Sequence, residues 1–100
     1  MDADIAMGQA GDIRCLGAWT LAGVARLEPR LAAWAWPRAG EVVIDAAAVT
    51  AMDTSGAWLL HRTVRTLERS GRTVRLQSLK PEHGVLLQVI ASRGIELELP

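Results

Sequence analysis

The sequence predicts an α/β domain, a mixed and largely parallel sheet of four or five strands with helices packed on it. Glu41-Val42-Val43-Ile44-Asp45 is a short β-branched run, of the kind found in the middle of a sheet covered on both faces. Two helix-period stretches flank it: Val24, Leu27, Leu31 and Trp34 recur at three, four and three residues, and so do Ala57, Leu60, Val64 and Leu67. Near the end, Ile95-Glu96-Leu97-Glu98-Leu99 alternates with period two, as a strand with one wet face does.

Taken in order, residues 1–11 mix Gly, Ala and Asp without periodicity and read as a loose leader, with one domain over 12–100. Ile13-Arg14-Cys15-Leu16 and Ala18-Trp19-Thr20-Leu21 are two short strand candidates; Gly17 between them suggests a turn or bulge and hence a small hairpin. The first helix carries Pro29, so it either begins near Glu28 or bends there. The second spans about Thr54 to Arg69 and stops at Ser70-Gly71. Thr73-Val74-Arg75-Leu76-Gln77 reads as a strand, and Pro81-Glu82-His83 as the first turn of a third helix ending before Gly94. The order is therefore β-β-α-β-α-β-α-β, with parallel strands joined through helical crossovers.

A chain of 100 residues suits one domain, and domains of that size bury about 60 to 70% of the surface their unfolded chains expose. Half the residues are apolar, but charges interrupt every run before it reaches the roughly 18 to 20 residues of a membrane-spanning helix. The acidic start Met1-Asp2-Ala3-Asp4-Ile5 lacks the form of a secretory signal, so the expected setting is cytoplasmic. Eleven basic residues balance eleven acidic ones, which gives no argument for nucleic acid as a partner. The basic residues do cluster: Arg62, Arg65, Arg69, Arg72, Arg75 and Lys80 make either a solvated helix face and edge strand or a docking surface for an acidic partner or lipid headgroups. Cys15, the single cysteine, reads as a small strand residue and not a reactive thiol. His61 and His83 have no metal-ligand spacing around them and read as surface residues; no catalytic, metal or cofactor site is expected.

The most informative stretch is Asp53-Thr54-Ser55-Gly56, which opens the second helix directly after a strand. It places an acid, two hydroxyls and several backbone N–H groups at one exposed point, which can be a helix cap, an anion site or a phosphorylation switch. Gly56 is costly just inside a helix, and close approach of another backbone or a phosphate is a reason for it. If Ala57, Leu60, Val64 and Leu67 point inward, then Trp58, Arg62 and Arg65 share another face, and Trp and Arg are enriched at interface hot spots. Asp53, Thr54, Ser55, Gly56, Trp58, Arg62 and Arg65 are accordingly the candidate partner-binding residues.

The strand ending at Asp45, then Val49-Thr50-Ala51-Met52-Asp53-Thr54-Ser55-Gly56, a helix with a Ser-Gly stop and the strand Val74-Arg75-Leu76 together resemble the STAS domain. This fold is shared by anti-sigma factor antagonists and by regulatory domains of certain transporters. Gly17-Ala18-Trp19-Thr20-Leu21 and Asp53 through Leu60 look most like the branch associated with ABC permeases that handle phospholipids and outer-membrane lipid asymmetry. That likeness implies a non-catalytic docking module, bound to an ABC transporter ATPase or permease and meeting the membrane only through the permease. The antagonist branch implies a different partner, an anti-sigma factor kinase that phosphorylates the residue matching Ser55, with Thr54 beside it. Antagonists usually continue with Leu-Gly where this chain has Ala57-Trp58, which favours the transporter branch.

Overall fold

The computed structural model describes residues 2–9, 11–37 and 40–92. Along the chain run β1 (Asp4–Met7), β2 (Ile13–Trp19), α1 (Leu21–Ala33), β3 (Glu41–Met52), α2 (Thr54–Arg69), β4 (Thr73–Gln77) and α3 (Pro81–Ser92). The four strands form one sheet in the order β1-β2-β3-β4. β1 pairs antiparallel with β2, whereas β2 with β3 and β3 with β4 are parallel. The expected mixed α/β sheet is what the chain forms.

The burial of β3 alternates strictly at its start, with Val42, Ile44 and Ala46 inside and Val43 and Asp45 only half-covered. Helices α1 and α2 lie side by side against that inner face, and α3 packs on α2 rather than on the sheet. Among the described residues no helix packs on the other face of β2, β3 and β4, which differs from the expectation of a sheet covered on both sides. The core between the layers is built from Ile5, Ile13, Cys15, Trp19, Leu27, Ile44, Leu59 and Leu60, with smaller aliphatic residues around them.

The start of the chain differs most from the sequence reading. Residues read as a loose leader contain β1, whose Ile5 is buried and pairs with Cys15. Arg30 clasps this strand, its Nε lying 2.6 Å from the Asp4 carboxylate and its Nη2 donating to the Ile5 carbonyl at 3.4 Å. The two short strands expected around Gly17 are a single strand, β2, and the proposed hairpin between them does not form. Gly17, at φ 77°, sits instead beside a register shift, where β3 has one residue more than β2. A second shift lies between Arg14 and Leu16, and the pair of shifts lets Ile44 to Met52 of β3 run beside all 7 residues of β2, with Glu41 to Val43 extending beyond it.

Helix α1 starts at Leu21, earlier than expected, and runs through Pro29 to Ala33. Its end is closed by the Trp36 indole, which donates to the Leu31 carbonyl at 3.0 Å. α2, β4 and the start of α3 fall where the periodicity places them. The strand expected at 95–99 lies outside the described residues. His83 is corrected from a surface residue to a buried one, 4% exposed, because the first turn of α3 is turned into the protein and not outward.

Candidate docking site at the paired helix starts

Because β2 and β3 are parallel neighbours, they end together, with Trp19 opposite Met52. The chain leaves each strand through a single residue, Thr20 or Asp53, and enters a helix at once. Two helix N-termini thus meet at one edge of the sheet, each with backbone N–H groups that lack intrahelical partners.

Asp53 serves both helices. As the N-cap of α2 its Oδ1 accepts from the Gly56 N–H at 3.0 Å, and its Oδ2 accepts from the Leu21 N–H of α1 at 2.9 Å. Thr20, the N-cap of α1, makes no side-chain cap of its own. Desolvation works against the ionised carboxylate, but the N–H groups of Gly56, Leu21 and Ser55 outweigh it, and the Asp53 carboxyl is held below its ordinary range. The free N–H groups expected at this turn are therefore already occupied by a fixed negative charge. An added phosphate would meet a carboxylate here, not an empty cradle.

Gly56 is explained by backbone contact. Trp19 is fully buried, with its indole donating to the Leu16 carbonyl at 3.0 Å, and its own carbonyl accepts from the Asp53 N–H at 3.3 Å. A Cβ on Gly56 would overlap that same Trp19 carbonyl, so only glycine lets α2 begin against the end of β2.

Beside this junction lies an open depression of about 400 Å³ lined by Leu21, Val24, Thr54, Ser55, Trp58 and Ile90. Its walls are mainly apolar, and Leu21 is 71% exposed although it is a large aliphatic side chain. Thr54 is exposed and Ser55 half-buried, so both hydroxyls stand at the rim.

A family model described as "Mlab, STAS domain" matches residues 5–97. The chain belongs to the STAS domain family. Among curated proteins, no significant match to this STAS domain is found. The match begins within β1, the strand absent from the sequence reading, and extends past α3.

Within this STAS domain Asp53, Thr54, Ser55, Gly56 and Trp58 lie together at the start of α2. Arg62 joins them indirectly. Its guanidinium lies 4.7 Å from the Trp58 ring centre, and its Nη2 lies 3.4 Å from Glu28 Oε2 on α1. Arg65 is half-buried, has an interaction of its own and does not line the depression. Most of the basic cluster is dispersed: Arg72 donates to the Pro37 carbonyl and the Ser70 hydroxyl, and Lys80 Nζ donates to the Val49 carbonyl at 2.8 Å.

Sequence reasoning missed Leu21, Val24 and Ile90 as members of the site. The available signal was Thr20, a residue suited to an N-cap, four positions before Val24 and seven before Leu27. Read as a cap, it would have started α1 at Leu21 and placed the two helix starts together. No group of three or more His, Cys, Asp or Glu among the described residues could hold a metal ion. None of their helices is long and apolar enough to cross a membrane.

Proposed function

We propose that this STAS domain is a non-catalytic docking and regulatory module of a phospholipid-transporting ABC system, working at the cytoplasmic face of the membrane. It binds the transporter's ATPase or permease subunit through the depression at the paired helix starts. The observation that carries this reading is the open apolar depression beside the capped junction, with the exposed Leu21 at its edge and the half-buried Val24 and Trp58 and the buried Ile90 lining it. An apolar centre with hydroxyls at its rim is the anatomy of a protein interface. Trp58, held in place by Arg62, supplies the large aromatic anchor that such interfaces favour.

Titrating the domain with the ATPase subunit of a phospholipid-transporting ABC system from the same cells tests the reading. Leu21→Asp and Trp58→Ala are expected to weaken binding at least about tenfold with circular dichroism unchanged. Undiminished binding by both variants excludes this surface. The position of Thr54 and Ser55 at the rim supports a second reading, an anti-sigma factor antagonist switched by a kinase at Ser55. Mass spectrometry of the protein from its native cells separates the two, since the antagonist reading requires a phosphorylated fraction at Ser55.

A further inference from the structure

Purely parallel sheets are almost always covered on both faces, and although β1 makes this sheet a mixed one, no helix among the described residues covers the outer face of the parallel strands β2, β3 and β4. That face holds a second depression, about 500 Å³, at the strand starts, opposite the end where α1 and α2 begin. Its charged lining consists of Asp12, Arg14, Glu41, Asp45 and Arg75 around Val43.

Register places these groups firmly. Arg14 on β2 is level with Asp45 on β3, and Val43, two residues earlier on β3, is level with Arg75 on β4. Arg14 and Arg75 are both exposed, and neither forms an ion pair among the described residues, although Asp45 is the register neighbour of Arg14. The Asp45 carboxylate accepts instead from the Ala47 N–H at 2.9 Å.

A small anion would meet three carboxylates as well as two guanidinium groups in this lining, and a basic or acidic macromolecule would meet both signs. A second copy of the same face is different. A two-fold contact uses one patch on both partners, so it must be self-complementary, with both signs displayed side by side. We propose that two copies of this domain associate through their bare sheet faces, Arg14 and Arg75 of each pairing with Asp12, Glu41 and Asp45 of the other. Such stacking covers the parallel strands on both sides and leaves the depression at the helix starts free for another partner.

Sedimentation velocity on the chain, over a concentration series at low and high salt, tests this directly. The expected result is a dimer whose dissociation constant rises at least about tenfold with added salt. Arg14→Glu with Arg75→Glu, and separately Asp12→Arg with Glu41→Arg, are each expected to sediment as monomers, and an equimolar mixture of the two variants as a heterodimer. Wild-type protein that remains monomeric at every concentration and salt level overturns the proposal. So does a dimer that survives the Arg14→Glu, Arg75→Glu double change.

Discussion

The carbonyl of Trp19 occupies the space that a side chain on Gly56 would need. The contact joins the last residue of one strand to the first turn of a helix that begins 35 positions after it, since α2 starts at Thr54. Neither partner can yield easily, because Trp19 is fully buried and its carbonyl also accepts from the Asp53 N–H.

Gly56→Ala is therefore expected to destabilise strongly, although alanine is the better helix former. Overpacking against backbone costs about 1 to 3 kcal/mol, and the upper end applies where the obstacle is a fixed carbonyl. Urea unfolding gives the measurement. A change under about 0.5 kcal/mol would show that α2 can slide away from β2.

Asp53→Asn removes the charge from a carboxylate that caps two helices. Each cap is worth about 1 kcal/mol, so Asp53→Ala is expected to cost about 2 kcal/mol, and Asp53→Asn less. The pH dependence follows from the lowered carboxyl in the folded state. Its stabilisation is fully present above the unfolded value of about 3.9 and is lost as pH falls through the lower folded value. Comparing wild type with Asp53→Asn from neutral pH into this acid range should show a smaller loss in the variant.

The Cys15 thiol is buried on β2, and burial, with the Asp45 charge added, pushes its pKa from 9.0 to about 12. A thiol raised in the folded state stabilises the fold below the unfolded value and ceases to as pH rises through the folded one. Stability is expected to decline between about pH 9 and 12, and Cys15→Ala should show a shallower decline over the same range. At neutral pH the native thiol should resist an aromatic disulfide reagent until the protein is unfolded. Immediate labelling of the folded protein would contradict its placement.

Arg62 links α2 to α1 from outside through Glu28, and within α2 it lies over the Trp58 ring. Both charges are partly exposed, so Arg62→Ala is expected to cost only about 0.5 to 1 kcal/mol. Salt should remove the ion-pair share and leave the aromatic share. A loss above about 2 kcal/mol would mean that the pair is more deeply buried than its exposure indicates.

The second half of the fold was legible because its signals are local. Ser70-Gly71 marks the end of α2, and Pro81 marks the start of α3. The first half was less legible because its structure depends on partners distant in sequence. β1 has only Ile5 as a strong β-former, and it gains order from pairing with β2 and from the Arg30 clasp. The matching order of strands and helices up to α3 partly conceals this, since the two strands expected around Gly17 are one and the missing one lies in the supposed leader. At the site, Asp53 as a cap for α2 followed from its position, whereas its hold on Leu21 spans 32 residues and leaves no local trace. Arg62 was expected to face a partner, but the fold already employs it.

The two extra residues that β3 carries beside β2 make its length a ruler for the junction. Each residue of strand advances the chain about 3.3 Å, and removing one reverses which side chains face inward. Deleting a single alanine from the Ala46-Ala47-Ala48 tract would draw Asp53 back from Leu21, and α1 would lose its cap through a change made in a different element. The start of α2 and the cap of α1 thus both depend on the path length of one strand.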